Sequence, residues 1–273
     1  MDKFENVIVA CGKDFADALA GSYLAGVKQA PILMASDSQL NNLKDYISKN
    51  LEKDGTIYIL GGKSAVSEKI ENGLKAYGMI KRLGGYDRYE TNILILKEAG
   101  VADKDILVCT GKNFADSLSA SALGRPILLV KDKLTVQQKE YLKGLSGNKY
   151  YLIGGEKAVT PAMAKEIKAY GTTTRIGGET RYETSVMVAE AFFKDPQAAV
   201  LAYAMNFPDG LCGGPLAMSK NAPLILTATK SATAAIKYVQ KEGITKGAVL
   251  GGEMLINDDV VKTIFNAEKI AIW

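Results

Sequence analysis

Four of the chain's five arginines stand in two ten-residue segments of one design. The first is Arg82-Leu83-Gly84-Gly85-Tyr86-Asp87-Arg88-Tyr89-Glu90-Thr91. The second, Arg175-Ile176-Gly177-Gly178-Glu179-Thr180-Arg181-Tyr182-Glu183-Thr184, follows 93 residues later. A guanidinium is a rigid, permanently charged fork suited to carboxylate or phosphate, whereas lysine mostly solvates a surface. Arg88 and Arg181 fall in the first turn of an expected helix, where the macrodipole disfavours a cation, so a negative group must compensate. One solution is an internal carboxylate, with Asp116 the expected partner of Arg88 and Asp209 that of Arg181. The other is a phosphate or carboxylate of a ligand, held bidentately. The internal pair is favoured, because charges enclosed by repeat packing are normally paired.

Three aspartates, Asp17, Asp116 and Asp209, recur in Phe-Ala-Asp or Phe-Pro-Asp contexts and could pass for catalytic groups. Asp14, Asn113 and Asn206 stand three residues before them as N-cap candidates. That places each aspartate at the third helical position, where a carboxylate satisfies free amides and the positive helix end. Asp87-x-x-Glu90 and Thr180-x-x-Glu183 have the capping-box pattern, which gives Glu90 and Glu183 a structural role. The chain has no histidine, which removes the commonest general base and the Ser-His-Asp and Cys-His arrangements. Cys11, Cys109 and Cys212 are an odd number without metal-ligand spacing and read as free, buried residues. The one Asp-x-Asp, Asp103-Lys104-Asp105, precedes a strand instead of following one, so neither a metal site nor a cofactor is expected.

The elements that must position these residues come in three copies. Short apolar runs, Val7–Ala10, Ile106–Val108 and Val200–Ala202, precede the aspartate motifs. A second run opens on proline each time: Pro31-Ile32-Leu33-Met34, Pro126-Ile127-Leu128-Leu129 and Pro223-Leu224-Ile225-Leu226. A third closes on paired glycines, Gly61-Gly62, Gly154-Gly155 and Gly251-Gly252. Helices then begin at the N-caps Ser67, Thr160 and Asn257, with Pro161 at the first helical position behind Thr160. Apolar runs alternating with amphipathic helices are the pattern of βαβ units around buried parallel sheets.

The expected fold is therefore α/β, in three flavodoxin-like units covering residues 1–81, 82–174 and 175–273. Unit two is four residues shorter than the others between its phenylalanine and its proline, about one helical turn. Behind the arginines, Tyr89, Ile93 and Leu96 share a helical face, as do Tyr182, Val186 and Ala189, so each segment opens a helix that feeds the next unit. Unit one lacks such a helix and unit three closes on Lys269-Ile270-Ala271-Ile272-Trp273, which suggests a window cut from a longer protein. The glycine pairs lack a Gly-x-Gly-x-x-Gly or Gly-x4-Gly-Lys-Ser/Thr frame and are better read as tight turns than as phosphate cradles, although amides at three helix starts remain available to an anion.

A net charge of +4 permits an anionic partner without requiring one, and no basic run points to nucleic acid. No stretch is long and apolar enough to insert in a membrane. The opening residues lack the basic and apolar regions of a signal peptide, so export is not legible in the sequence shown.

Taken together, Arg-x-Gly-Gly-x-x-Arg-Tyr-Glu-Thr, Phe-Ala-Asp-Ala/Ser-Leu (15–19, 114–118), Pro-Ile-Leu-Leu and the strand-Gly-Gly turns resemble the cell-wall-binding repeat 2 family of Gram-positive surface proteins. The departures are the missing first arginine segment, Phe207-Pro208-Asp209-Gly210-Leu211 in unit three, and its Pro223-Leu224-Ile225-Leu226 strand. The resemblance implies three Toprim-like units in a pseudo-threefold assembly at the cell surface. It also implies non-covalent, non-enzymatic anchoring to an anionic wall glycopolymer beside a cargo region elsewhere. The candidate polymer contacts are Arg88, Arg181, Tyr89, Tyr182, the surface near Pro31, Ile32, Pro126, Ile127, Leu128 and Pro223, and the paired glycines 61–62, 154–155 and 251–252. Two alternatives stay open: an α/β enzyme or nucleotide-binding protein using the strand-Gly-Gly turns, and a surface-layer or adhesion protein that associates with copies of itself.

Overall fold

The computed structural model describes residues 3–101, 105–145 and 147–268. Asp103 and Lys269–Trp273 lie outside the described residues. The first unit runs β1 (Phe4–Cys11), α1 (Ala16–Ala20), α2 (Ser22–Lys28), β2 (Ile32–Ala35), α3 (Leu40–Asn50), β3 (Leu51–Leu60), α4 (Glu68–Leu74) and β4 (Met79–Leu83). Its sheet has the order β2-β1-β3-β4, and every pairing is parallel. Helix α5 (Arg88–Ala99) leads into β5 (Ile106–Thr110), α6 (Ala115–Ala120), β6 (Ile127–Val130), α7 (Val136–Lys143), β7 (Lys149–Ile153), α8 (Pro161–Lys168) and β8 (Thr172–Ile176). That sheet repeats the order as β6-β5-β7-β8.

Helix α9 (Arg181–Phe192) opens the third unit, with β9 (Ala199–Tyr203), α10 (Gly213–Ser219), β10 (Leu224–Thr227), α11 (Thr233–Lys241), β11 (Gly247–Leu250) and α12 (Asp258–Phe265). Among the described residues its sheet has three strands, β10-β9-β11. The expected three parallel-sheet α/β units are thus present.

Burial explains why the continuous apolar runs became inner strands: Val7–Ala10, Ile106–Cys109 and Val200–Ala202 are almost wholly excluded from solvent. Strands β4 and β8 were not legible in the same way. Met-Ile-Lys-Arg-Leu and Thr-Thr-Thr-Arg-Ile alternate between exposed and half-buried positions, as an edge strand does, and carry little apolar signal. Because β4 spans residues 79–83 and β8 spans 172–176, the sheets of units one and two run one or two residues past the starts of the arginine segments.

Local signals set the helix starts. Ser67, Thr160 and Asn257 each accept from the backbone N–H three residues on, at 3.3, 3.2 and 3.0 Å. Thr180 and Glu183 form a reciprocal capping box. Asp87 accepts from the Tyr89 and Glu90 amides, both at 2.9 Å, but Glu90 reaches back to the Tyr86 amide instead of that of Asp87. The four-residue deletion in unit two falls where α2 lies in unit one, leaving only a 3-10 turn at Ser121–Leu123.

Each unit has its own outer core, such as Val7, Ile47, Ile57 and Ile70 in the first, but one central core is shared by all three. At its middle Phe15, Phe114 and Phe207, one from each unit, meet pairwise with ring centroids 6.2, 5.9 and 5.8 Å apart. Interplanar angles of 60–63° in all three pairs mark a pseudo-threefold axis. Helices α5 and α9 straddle the seams. Buried Asn92 on α5 donates to Ile127 O and accepts from Leu129 N, both at 2.8 Å, as an added partner for the edge of β6. Ser185 on α9 accepts from Leu226 N at 3.1 Å on β10.

Candidate functional site

In the order β2-β1-β3-β4 the connection from β1 runs to β2 on one side and that from β3 to β4 on the other, and the crevice beyond the carboxyl ends of strands at such a reversal is where open α/β sheets bind ligands. Units one and two each have a cleft there. The first, of about 550 Å³, is lined by residues after β1 (Lys13, Asp14, Asp17), after β3 (Gly62, Ser64, Ser67) and before α5 (Gly85, Asp87, Arg88). The second, of about 1130 Å³, is lined by the matching Lys112, Asn113 and Asp116, by Gly155 and Lys157, and by Arg175, Gly178 and Arg181.

Each first-turn arginine staples two units together. Arg88 donates through Nη1 to Gly111 O of unit two at 2.6 Å and through Nη2 to Asp14 Oδ2 of unit one at 2.8 Å. Its guanidinium also lies 5.2 Å from the Phe15 ring centroid. Arg181 donates to Ala204 O of unit three at 2.6 Å and lies 5.4 Å from the Phe114 ring centroid of unit two. The pairings expected from sequence, Arg88 with Asp116 and Arg181 with Asp209, are therefore corrected. Arg88 meets the acidic loop after the first strand of the preceding sheet, one unit earlier than expected, whereas Arg181 makes no ion pair among the described residues. Asp209 is exposed and makes no ion pair among the described residues.

The aspartates also sit differently from the cap reading. Asp14 Oδ1 accepts from Ala16 N at 3.1 Å and Asn113 Oδ1 from Ala115 N at 3.2 Å, so α1 and α6 start one residue late, with Phe15 and Phe114 at the cap. In unit three, among the described residues, Asn206 accepts only from Phe207 N, and Pro208–Gly210 form a 3-10 turn. Asp17 and Asp116 accept no hydrogen bond from first-turn amides; their carboxylates turn onto the glycine turns. Gly61 and Gly154 hold φ of +98° and +104°, and a side chain there would collide with Asp17 Oδ2 or Asp116 Oδ2. Burial pushes Asp17 up to about 6, helped by Asp14 and opposed by Arg88. Burial likewise pushes Asp116 up to about 6, against the pull of Arg181.

Arg82 and Arg175, for which the sequence suggested no separate role, brace the glycine turns. Arg82 donates to Gly61 O at 2.7 Å and Val66 O at 3.0 Å, and Arg175 to Gly154 O at 2.8 Å and Val159 O at 2.7 Å. Of the other expected contacts, Gly62, Gly155 and the first-turn arginines line the clefts. Ile32, Pro126, Ile127, Leu128 and Pro223 are buried, Pro31 is half-buried, and Tyr89 is packed into the central core. Tyr182 is half-buried, with its hydroxyl 3.6 Å from Met205 Sδ. Glu90 and Glu183 are occupied as caps. Cys212, expected buried, is exposed, while Cys11 and Cys109 are buried. Among the described residues no cluster of acidic or cysteine side chains could hold a metal ion, and no helix is long and apolar enough to cross a membrane.

Sheet and glycine turn recur three times along the chain and the seam helix twice. The family model described as cell wall binding domain 2 matches residues 1–71, 82–164 and 175–261. The chain belongs to the cell wall binding domain 2 family. It is 32% identical over 249 residues to an amidase enhancer of Bacillus subtilis, spanning 89% of this chain and 34% of that protein. It is 26% identical over 271 residues to the N-acetylmuramoyl-L-alanine amidase LytC of the same organism, spanning 95% of this chain and 53% of that one. The chain thus spans about a third and about half of the curated relatives it matches. Among solved structures it superposes on Cwp8 from Clostridium difficile with a TM-score of 0.85 and 26% identity, over 98% of this chain and 48% of that one. The three matched stretches fall one in each unit, so three copies of the cell wall binding domain 2 repeat make up this cell-wall-binding chain.

Proposed function

We propose that the module anchors a larger surface protein to the cell wall non-covalently, by binding an anionic secondary wall polymer at several clefts at once and without chemical turnover. The observation that carries this reading is the repeated cleft itself. A first-turn arginine, a glycine turn and a lysine after the first strand recur at the carboxyl end of the sheet in units one and two. A repeating polymer matches a repeating site, and linked weak contacts raise avidity by on the order of 10²–10⁴ without any single tight one. The family and the cell wall proteins this chain resembles support a position at the wall. The same stretch is shared by a protein named as an amidase and one named as an amidase enhancer. That supports a common binding role and leaves either activity to the remainder of those proteins.

Co-sedimentation with purified Gram-positive cell walls tests the proposal, with walls used before and after mild acid removal of their secondary polymers. Pelleting that disappears on stripping and weakens with added salt is the expected result. Pelleting that survives stripping unchanged, or none at all, overturns it.

A further inference from the structure

Units one and two place the same two arginines at the same two points of one fold, yet surround them with different charge. In unit one both are neutralised internally: Arg88 by Asp14 at 2.8 Å, and Arg82 by Glu71, whose Oε2 accepts from Nε at 3.0 Å and from Nη2 at 2.8 Å. In unit two the position of Asp14 is Asn113 and that of Glu71 is Ala164. Both arginines keep their backbone partners, Arg181 on Ala204 O and Arg175 on Gly154 O and Val159 O. Among the described residues neither makes an ion pair. The Asn113 side chain makes the same turn as Asp14, accepting from the amide two residues on, so the local backbone is kept while the charge is removed.

The balance across each cleft follows suit. The first is lined by two cations and four carboxylates, the second by four cations and three carboxylates. Lys157 stands in the second where the first has Ser64. Of the three carboxylates, Glu156 and Glu179 are exposed at the rim, and Asp116 is turned inward onto Gly154. The second cleft is also about twice the volume, 1130 against 550 Å³.

We infer that the cleft of unit two, and not that of unit one, receives the anionic group of the ligand, an oxyanion of phosphate or carboxylate type, at the Arg181 guanidinium edge with Arg175 and Lys157 beside it. This rests on the proposed role of the clefts in wall binding and narrows it: both clefts hold the polymer, and its charged group is read in one. A guanidinium edge left without a carboxylate is suited to bidentate capture of such a group. In unit one the corresponding edge is already occupied by Asp14.

The test titrates the whole chain with inorganic phosphate, and separately with glucuronate, while following the arginine side-chain Nε–Hε resonances by NMR. Only five arginines contribute. The expected result is movement of Arg181 and Arg175, with Arg88 and Arg82 unmoved, for one or both anions. The anion that acts identifies the polymer group as phosphate or carboxylate. Asn113→Asp with Ala164→Glu, which rebuilds the partners of unit one, weakens the response about tenfold or more. Asp14→Asn with Glu71→Ala creates a response at Arg88 and Arg82. Both pairs are checked for retained cooperative unfolding, and the two exchanges control for each other because they alter opposite units. No movement with either anion, equal movement in both clefts, or an undiminished response in the Asn113→Asp, Ala164→Glu chain overturns the inference. Wall pelleting separates the two levels. Pelleting by the wild type that is unaffected by Asn113→Asp with Ala164→Glu sinks this assignment and leaves the anchoring reading standing. Anion binding without wall pelleting does the reverse.

Discussion

Arg88 and Asp14 are 74 residues apart in sequence and joined at 2.8 Å across the seam between units one and two. Their side chains are 31% and 48% exposed, so solvent screens much of the attraction, and the bond acts chiefly to place the helix. Arg88→Ala also removes the bond to Gly111 O and should cost roughly 1–2 kcal/mol in urea unfolding. A double-mutant cycle with Asp14→Asn should return a coupling of about 0.5–1 kcal/mol. A coupling indistinguishable from zero would show that the pair contributes position alone.

Asp17 and Asp116, both pushed up to about 6 from an ordinary 3.8, make stability depend on pH in an unusual direction. Between those values the folded chain holds protons that the unfolded chain has released. The slope of stability against pH is therefore negative: the native state is favoured below about 4 and loses stability as pH rises to about 6. Each shift corresponds to about 3 kcal/mol at most. Asp17→Asn and Asp116→Asn should flatten this part of the curve and raise the urea midpoint at pH 7. If the wild type and the double variant fall in parallel between pH 4.5 and 7, the decline comes from other groups.

Phe114 contacts both Phe15 and Phe207 and packs in the shared core. Truncation to alanine at so enclosed a position removes contacts to two other units together and should cost about 3–4 kcal/mol. Because each unit also has an outer core of its own, calorimetry should show the single transition broadening or splitting as the units uncouple. A lowered but still single, sharp transition would mean that the seam helices, not the phenylalanines, transmit the cooperativity.

Gly61→Ala tests the contact between the glycine turn and the aspartate behind it. The φ of +98° disfavours any side chain, and the added Cβ would strike Asp17 Oδ2. A loss of about 1–3 kcal/mol is expected from the backbone alone, with more from the collision. In an Asp17→Ala background that collision is gone while a close contact with Ala65 Cβ and the backbone cost remain, so the same substitution should be milder there. Equal losses in both backgrounds would assign the effect to φ and the Ala65 contact, and none of it to Asp17.

Much of the architecture was legible in the chain itself. Periodicity and repetition gave the inner strands, because a strand buried on both faces must be apolar along its length, as Val7–Ala10 and Ile106–Cys109 are. Ser67, Thr160 and Asn257 announced their helices because a cap is a contact between neighbours three residues apart. The ten-residue arginine segments, with the Phe-Ala-Asp and strand-Gly-Gly repeats, were enough to point to the family. Edge strands β4 and β8 escaped notice because half their residues face water and any polar type serves there.

What the tertiary structure alone decided is which repeat each charged group serves. The sequence reading paired Arg88 with Asp116 from its place in the pattern, and the pattern favoured the wrong unit. The choice was made by packing between units, where α5 leads from the first sheet onto the second, Asn92 holds β6 and three phenylalanines meet. The exchange of Asp14 for Asn113 was visible all along as a change of letter. Only the seam geometry turns it into a change of charge at an arginine, because a salt bridge depends on distances set by packing between units and not by spacing along the chain.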